Sequence, residues 1–557
     1  MRSIRTLIPL LTFQFLILLS IQSQTVQKLQ LPVSAEEFGK VVAIDGDTAI
    51  IGAPNTGPEL GYAYIFEQQN SSWAETKELQ APGSSINFGA SVDISGDVAV
   101  VGDPDGGDDG KGQVFIFHRD NNWQLKESLS MPGPLLDYGE KFGLDVAVHG
   151  KIAVVTLAHT PPLPGPGESG TLRYIAQVYV LDDNFNYSDE RSLFVDNDTL
   201  QSDGLNADIF NDRVVVGRPD GDVVYVWDQT DWGGDPTQSL VGAVGSDFGA
   251  SVAIENDLVA VGAPEAYNGS GAAYVFDQLI QKDELRPTRS YDMLNERFGY
   301  SIGLDGSTII VGNKFGSNIT NTLFPAVYVF EDLNTTGVWQ ETVHHAGDSN
   351  NAFGQAIDAS SGTILIGAYK NSSSKGSVYI APTAPLIIMT SWTGEDNWIN
   401  FGDILTEPET VREGVTVKHN YSFNTDVKLV ARSLQGTGSL TFNSKQLETF
   451  TALKPYSNSD SSTEKSVTLR FLPATGGKYL IEAYSDLKSG LGFLLFTTTT
   501  IVPVEAGITA PEADISVDPT SIDLGNLILG QATSLTLTIE NAGIENGGNA
   551  TGELAIS

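Results

Sequence analysis

The feature that most constrains the fold of this 557-residue chain is a short phrase that occurs seven times. Each copy pairs an aromatic-glycine step with a Gly-Ala-Pro-like step fourteen residues later. Five copies keep the pattern: Phe38-Gly39 with Gly52-Ala53-Pro54, Phe88-Gly89 with Gly102-Asp103-Pro104, Phe248-Gly249 with Gly262-Ala263-Pro264, Phe298-Gly299 with Gly312-Asn313-Lys314, and Phe353-Gly354 with Gly367-Ala368-Tyr369. Two are less regular: Phe142-Gly143 leads to Thr156, and Asp203-Gly204 leads to Gly217-Arg218-Pro219. Self-similarity at a period of roughly 45–60 residues indicates a repeat architecture.

The second copy shows what one repeat builds. Its strand-like runs are Ala90–Ile94, Val98–Val101, Gln113–Phe117 and Trp123–Leu129. Four short antiparallel strands separated by turns are typical of one propeller blade. We expect the repeated glycines where neighbouring blades crowd, because a Cβ there would obstruct the backbone. The aromatic ring beside each first glycine fills the gap between blades, so the blade with Asp203 in that place should be the most loosely packed.

The two ends of the repeat array complement each other. Leu29–Pro32 stands as far before its Phe-Gly step as Leu79–Pro82 does, so the N-terminal segment resembles a fourth strand with no blade before it. At the other end, Gly376–Ile380 is a third strand, and a proline-rich segment follows instead of a fourth. We predict that the N-terminal strand completes the last blade, closing a ring of seven blades and removing an exposed sheet edge.

These residues resemble the FG-GAP repeats of the integrin alpha-chain propeller, and more closely the bacterial secreted version with a short first turn. The resemblance implies an extracellular seven-bladed propeller used in adhesion or ligand binding. Integrin-type repeats often carry an Asp-x-Asp-x-Asp-Gly calcium loop between their first two strands. The corresponding turns here are Asp45-Gly46-Asp47, Ser95-Gly96-Asp97, Glu255-Asn256-Asp257 and Asp305-Gly306-Ser307. They are too short to supply six to eight oxygens, so no calcium and no cofactor is carried over from the family.

The segments outside the array define the other predicted domains. Residues 1–23 combine early arginines with an apolar run and resemble a secretory signal peptide. The propeller is assigned to residues 24–382. Regularly spaced strand-like runs over 386–505 predict an immunoglobulin-like β-sandwich. Residues 511–557 resemble part of a second such module, of the ASH or choice-of-anchor-D type. The predicted fold class is therefore all-β, a seven-bladed propeller followed by immunoglobulin-like modules.

Composition narrows the partners and the compartment. The net charge of −38 repels nucleic acid phosphates and anionic lipid headgroups, which excludes both as primary partners. After the N-terminal segment no run of 18 apolar residues occurs, so no further membrane insertion is expected. The chain has no cysteine, hence no disulfide and no thiolate metal site. We expect a secreted or cell-surface protein.

The ligand-binding face is predicted from the blade pattern. Loops joining second to third strands, and loops leading into each Phe-Gly step, share one face. An acidic, glycine-rich loop there contains Asp103, Asp105, Asp108 and Asp109, which either hold calcium or form a solvated turn; the spacing favours the turn. An insertion with Pro161, Pro162, Pro164 and Pro166 is either a stiff spacer or a recognition site, and the spacer is favoured. Arg218, near Asp220 and Asp222, is expected to form a local ion pair rather than to anchor a ligand, and sequons on this face occur at Asn268, Asn318 and Asn371.

Catalytic motifs find little support in the sequence. The histidines occur in no metal-binding spacing; they are His118, His149, His159, His344, His345 and His419. His344 and His345 are expected on the surface, and the recurring Trp73, Trp123 and Trp339 are expected to be structural. We predict a non-enzymatic binding or adhesion protein that recognises a protein or polysaccharide. The alternatives are a structural matrix or envelope component, and a polysaccharide-degrading enzyme with paired carboxylates.

Overall fold

The computed structural model of the chain describes residues 27–384 and, beyond them, the strands within 387–541 that are given below. Within 27–384 the description omits 32–36, 55–59, 71, 84, 86, 108–109, 131–137, 161–172, 195–204, 229–231, 233–234, 289–295, 315–324, 333–336, 348–351 and 370–375. Neither helix of the described chain has the length needed to cross a membrane.

Seven four-stranded antiparallel blades occupy residues 27–382 of the described chain, which confirms the predicted propeller. The first strand of each blade contacts the first strand of the next, and that of blade 7 contacts that of blade 1. The N-terminal strand is β1 (Gln27–Leu29). Blades 1 to 3 contain β2 (Val41–Asp45), β3 (Thr48–Ala53), β4 (Tyr62–Gln69) and β5 (Ser72–Leu79); β6 (Ser91–Ser95), β7 (Val98–Asp103), β8 (Gln113–His118) and β9 (Gln124–Ser130); β10 (Tyr138–His149), β11 (Ile152–Thr160), β12 (Arg173–Leu181) and β13 (Tyr187–Phe194).

Blades 4 to 7 repeat the arrangement. Their strands are β14 (Asn206–Phe210), β15 (Arg213–Arg218), β16 (Val223–Asp228) and β17 (Gln238–Val241); β18 (Ser251–Glu255), β19 (Leu258–Ala263), β20 (Ala272–Asp277) and β21 (Ile280–Leu285); β22 (Phe298–Asp305), β23 (Thr308–Asn313), β24 (Ala326–Glu331) and β25 (Gln340–Ala346); β26 (Ile357–Ser360), β27 (Thr363–Ala368) and β28 (Ser377–Pro382). Two short helices, α1 (Asp120–Trp123) and α2 (Ala266–Gly269), and a 3₁₀ turn at Pro219–Gly221 lie in the connections.

The ring closes as the sequence predicted, because β1 supplies the fourth strand of blade 7. It pairs antiparallel with β28, with Leu29 opposite Val378. The Leu29 side chain is buried, at 3% exposure, in a core shared by blades 7 and 1. Gln27 extends the contact to blade 1: its amide nitrogen donates to the Trp73 carbonyl at 2.8 Å, and its amide oxygen accepts from the Trp73 N–H at 2.9 Å.

The fourteen-residue spacing of the repeated phrase has a direct structural cause. In four blades the glycine after phenylalanine donates its N–H to the carbonyl of the second glycine of the same blade, as Gly249 does to Gly262 at 2.9 Å. The second glycine in turn packs against the next blade, where a Cβ on Gly262 would overlap the carbonyl oxygen of Gly299. Blade 3 has Thr156 at this place, and its hydroxyl donates instead to the Leu205 carbonyl of blade 4 at 3.3 Å.

The phenylalanines of the phrase form the wedges between blades. Each is at most 1% exposed, and each packs against aromatic or apolar residues of the third strand of its own blade; they are Phe38, Phe88, Phe142, Phe248, Phe298 and Phe353. Burial of one such ring contributes about 1.5–3 kcal/mol. The predicted weak point at Asp203 lies outside the described residues.

The strands after the propeller form two further sheets. They are β29 (Ile387–Thr390), β30 (Ile399–Leu405), β31 (Val411–His419), β32 (Thr425–Gln435), β33 (Ser439–Phe442), β34 (Leu447–Leu453), β35 (Lys465–Leu472), β36 (Gly477–Lys488) and β37 (Leu494–Thr509), with a two-residue pair of β38 (Ile515–Ser516) and β39 (Glu540–Asn541). One sheet has the order β29-β31-β35-β33, and the other has β37-β36-β32-β34 with β30 parallel to β37. Most of 511–557, including the greater part of the predicted second module, lies outside the described residues.

The outer strand of blade 6 is not a free edge. Strand β37 pairs antiparallel with β25, placing His344 opposite Thr499 and His345 opposite Thr498. The prediction that these histidines lie on the surface is wrong, since they are only 6% and 0% exposed. The His344 ring nitrogen Nδ1 lies 3.0 Å from Glu341 Oε1. Burial, reinforced by His344, lowers the pKa of His345 to about 3, so His345 is neutral in the fold.

Candidate functional site

The ring has two different mouths, which we call the upper and lower faces. The upper face carries the loops between second and third strands and the loops leading into each first strand. The lower face carries the turns between first and second strands. The first strands of all seven blades line a central channel whose lower part encloses a cavity of about 320 Å³.

Carboxylates in the channel wall tie adjacent blades together. The Oδ2 atoms of Asp93, Asp208 and Asp358 each accept an N–H from the first strand of the next blade, at 2.5–2.8 Å. Their Oδ1 atoms each accept the N–H of the following residue, at 2.7–2.8 Å. The corresponding residue of the blade on either side is Ala or Gly, which leaves room for each carboxylate.

The channel carboxyls differ from ordinary surface acids in their pKa. Their side chains retain some accessible area inside the channel but lie far from bulk solvent. Burial raises the pKa of Asp208 and of Asp358 to about 7, and the N–H bonds only partly oppose this. Burial also raises the pKa of Asp93, with repulsion from the other two carboxyls adding to the effect. The hydrogen bonds to the Oδ2 atoms of these carboxyls connect each blade to the next.

The acidic residues of the predicted short turns have the same role at the lower face. Asp45 accepts the Gly96 N–H of the next blade at 2.6 Å, and Glu255 accepts the Gly306 N–H at 2.6 Å. Asp305 likewise binds the turn of blade 7. The turns between these first and second strands contain only two residues. The acids that would begin a calcium loop are thus directed at neighbouring blades.

A polar pocket of about 390 Å³ opens on the upper face. It lies where the inner ends of blades 4, 5, 6, 7 and 1 meet. Its most distinctive wall comes from blades 6 and 7, which supply Tyr300, Lys314, Gln355 and Tyr369, while blade 1 supplies Lys40. All five side chains are half-buried, so part of each is packed against the protein and part is accessible to a ligand.

The pocket exists because blades 6, 7 and 1 depart from the repeat. At the residue after the first glycine of the phrase, blades 2 and 5 carry Ala and blades 3 and 4 carry Leu, whereas blades 6, 7 and 1 carry Tyr300, Gln355 and Lys40. At the residue after Gly-Ala, blades 1, 2, 4 and 5 carry Pro, whereas blades 6 and 7 carry Lys314 and Tyr369. Apolar residues and prolines are therefore replaced by long aromatic, amide and cationic side chains along one arc of the ring.

Contacts among these side chains form a connected row. The Lys314 ammonium lies 4.5 Å from the centre of the Tyr300 ring and 3.5 Å from its hydroxyl oxygen. Gln355 donates from Nε2 to the Lys314 carbonyl at 3.3 Å. The Tyr369 hydroxyl makes a long contact of 3.5 Å with Gln355 Oε1. The amide thus holds the loops of the two blades in register.

Two of the three cationic side chains that line the pocket have carboxylate partners. Arg297 pairs with Glu265 at 2.6 Å, and Lys40 pairs with Glu37 at 2.9 Å. No carboxylate among the described residues pairs with the Lys314 ammonium, whose contacts are with Tyr300. In a chain of net charge −38, this is an accessible positive centre on a concave surface.

The two described acids of the blade 2 loop, Asp103 and Asp105, have different surroundings. Asp103 is fully buried, and burial raises its pKa. Asp105 pairs with Lys141 of blade 3 and contacts the Asn87 side chain. Asp108 and Asp109 lie outside the described residues. Within the described part of the chain, no group of three His, Asp or Glu side chains is arranged to hold a metal ion.

The other predicted features of the upper face are placed as follows. Arg218 Nε pairs with Asp220 Oδ1 at 3.2 Å in a buried position, which confirms the expected ion pair. Asp222 accepts N–H bonds from Gly245, Ser246 and Phe248, so it fixes the loop leading into blade 5. Asn268 is exposed in the turn of α2. The four prolines of the blade 3 insertion and the sequons Asn318 and Asn371 lie outside the described residues.

Histidines and tryptophans serve the packing where their side chains are described. His118 stacks on Phe185 of blade 3 with ring centres 3.9 Å apart, and His149 packs on Phe210 of blade 4 at 4.7 Å. The three recurring tryptophans are at most 9% exposed, which confirms their structural role. The side chains of His159 and His419 are not described. Because these histidines and tryptophans contribute to packing, we take the upper-face pocket as the candidate site.

Comparisons with known proteins support the repeat assignment. The FG-GAP repeat family matches residues 33–66, 73–117 and 241–276. No curated protein matches the chain. Similar solved structures include a 6-phosphogluconolactonase-like protein of Bacteroides fragilis (12% identity, TM-score 0.38, 57% of this chain and 86% of that one) and the hydrazine synthase of Kuenenia stuttgartiensis (12%, 0.41, 64% and 97%). Another is the propeller domain of the Trilobed protease of Pyrococcus furiosus (8%, 0.36, 64% and 95%).

Proposed function

We propose that this FG-GAP propeller is a secreted or cell-surface, non-enzymatic binding protein that recognises an extracellular protein or polysaccharide through its upper face. The observation that carries the proposal is the upper-face pocket, where Tyr300, Lys314 and Tyr369 replace the small residues and prolines of the repeat. Binding sites are typically concave, with aromatic surfaces and a few convergent polar groups. The departures from the repeat are concentrated where such a site forms.

The arrangement of the carboxylates supports binding rather than hydrolysis. A glycosidase of the usual kind needs one carboxylic acid and one carboxylate that both reach the substrate. Asp93, Asp208 and Asp358 instead use both oxygens to accept backbone N–H bonds, one from the next blade and one from the following residue of their own strand. Two carboxylates line the upper-face pocket, Asp247 and Glu265, and Glu265 is engaged by Arg297.

In the same proposal, the segments outside the propeller serve in export and as a spacer. Residues 1–23 would direct export, and 386–505 would form an immunoglobulin-like spacer. The two sheets that follow the propeller support a sandwich, and β37 is paired to the outer strand β25 of blade 6. That pairing uses the outer edge of the blade, whereas Tyr300 and Lys314 lie at its inner strands β22 and β23.

A binding screen tests the proposal. The exported chain would be applied to immobilised matrix proteins and to neutral and acidic polysaccharides, beside a Tyr300→Ala/Tyr369→Ala variant and a lower-face Lys151→Gln control. We expect at least one surface to retain the wild type and the control but to lose the double variant. Absence of binding to every surface, or binding that the double variant retains in full, would refute the upper-face assignment.

A further inference from the structure

We propose that the upper-face pocket binds an anionic saccharide, with its carboxylate or sulfate at Lys314 and its sugar ring against Tyr300 and Tyr369. This inference rests on the proposed binding function and specifies its ligand class. It is carried by the juxtaposition of an ammonium that pairs with no carboxylate in the described part of the chain, two half-buried tyrosines and one amide in a single pocket.

The charge of the pocket selects an anion. The chain as a whole is strongly acidic, so its long-range field disfavours anionic ligands, and any attraction must be local. Lys40 and Arg297 have carboxylate partners, at 2.9 and 2.6 Å. Among the described residues the Lys314 ammonium contacts Tyr300, and its side chain is only half-buried at the pocket wall. A hydrogen bond from an ammonium to an anionic oxygen is about twice as strong as a neutral one.

The remaining groups select a saccharide. Tyrosine offers a flat apolar face and a hydroxyl that donates or accepts, which suits a ring with one apolar face and polar edges. Gln355 adds an amide between Lys314 and Tyr369. A volume of about 390 Å³ falls within the range of small-molecule sites, roughly 300–1,000 Å³.

Titration calorimetry on the full chain tests the ligand class. The probes are an oligogalacturonate tetramer, the same tetramer with its carboxyl groups reduced, and a carrageenan tetrasaccharide, which carries sulfate groups and no carboxylate. We expect the carboxylated or the sulfated probe to bind, and the reduced tetramer to bind about tenfold more weakly or less. The two anionic probes distinguish a carboxylate ligand from a sulfate ligand.

Variants at Lys314 locate the charge. Lys314→Gln should weaken binding of the anionic probe about tenfold, whereas Lys314→Arg should retain most of it. Lys282→Gln is the matched control, because this lysine of β21 is also half-exposed and lies outside the pocket. Equal affinity for the reduced tetramer, or full affinity in Lys314→Gln, would overturn the inference.

The outcomes also separate this inference from the function on which it rests. A neutral glycan or a protein that binds the wild type, and is lost in Tyr300→Ala/Tyr369→Ala but not in Lys314→Gln, would overturn the anionic ligand and leave the binding function intact. Failure of every saccharide and matrix protein to bind would overturn both. Thermal unfolding of each variant confirms that its half-buried substitution leaves the fold intact.

Discussion

Replacing Leu29 by alanine tests whether the ring is held closed by the segment that comes first in the described chain. Leu29 is 3% exposed and lies in a core shared by blades 7 and 1. Truncation of a buried leucine costs about 2–5 kcal/mol, and a strand at a ring seam can relax, so we expect about 3 kcal/mol. A propeller of roughly 350 residues has an unfolding entropy near 0.7 kcal/mol/K, which converts this loss to a Tm decrease of about 4 °C.

Calorimetry or dye-monitored thermal unfolding of the full chain would measure the shift. Leu125→Ala is the matched control, because Leu125 is 36% exposed on the outer strand of blade 2 and should change Tm by less than about 1 °C. Deleting residues 27–31 should have a larger effect than Leu29→Ala, since Gln27 also holds the Trp73 backbone through two hydrogen bonds. Equal melting of the Leu29 variant, the deletion and the wild type would refute closure by β1.

Three further predictions concern the seams and the channel. Gly262→Ala should destabilise the propeller by about 1–3 kcal/mol in urea unfolding, because its Cβ would overlap the Gly299 carbonyl. Gly83→Ala, where a Cβ meets nothing within 4 Å, should be neutral or stabilising. The carboxyl of Asp208 has a folded pKa of about 7, above its unfolded value, so its stabilising contribution is complete below about pH 4 and is lost as the pH rises to 7. Asp208→Asn should therefore reduce the fall in the urea midpoint between pH 5 and pH 8. Chelator should change Tm by less than about 1 °C, because the acids of the two-residue turns already bind the next blade.

Opposite results would be informative in each case. Gly262→Ala with the stability of the wild type would show that the blades can separate at this seam without cost. An unchanged pH slope in Asp208→Asn would mean that this carboxyl ionises normally inside the channel. A decrease in Tm of several degrees on adding chelator would reveal a structural cation. It would contradict the interpretation that the acids of the short turns serve only as contacts between blades.

The inter-blade bonding explains how an acidic chain can keep so many carboxylates in its interior. Asp93, Asp208 and Asp358 occupy alternating blades over most of the ring, with Ala or Gly in the blades between them. Each carboxylate satisfies the first strand of its neighbour, so neighbouring acids do not compete for the same N–H groups. Repulsion among them is still felt, since these carboxyls raise one another's pKa. The ring is thus sensitive to pH at its centre.

Departures from the repeat were the signal that sequence reasoning overlooked. Lys314 and Tyr369 stand where four other blades have Pro, and this difference is visible in the repeated phrase itself, although the acidic loop around Asp103 is the more conspicuous pattern. In a repeat protein, residues that preserve the phrase maintain the seams between blades. Residues that depart from the phrase at the upper face are not needed for this packing and can take other roles. The residues at which blades 6 and 7 differ from the other copies of the phrase therefore indicate the pocket.

The sequence alone determined the repeat, the number of blades and the closing strand, because each depends on local spacing. Phe-Gly and Gly-Ala-Pro must stand fourteen residues apart for one glycine to bond with the other across a blade, and the surplus strand at one end matches the missing strand at the other. Tertiary structure alone decided which side chains meet. Tyr300, Lys314, Gln355 and Tyr369 form one row because two blades adjoin, and the outer strand of blade 6 is paired because β37, about 150 residues later, lies beside it. Such contacts depend on how distant segments pack, which no local pattern contains.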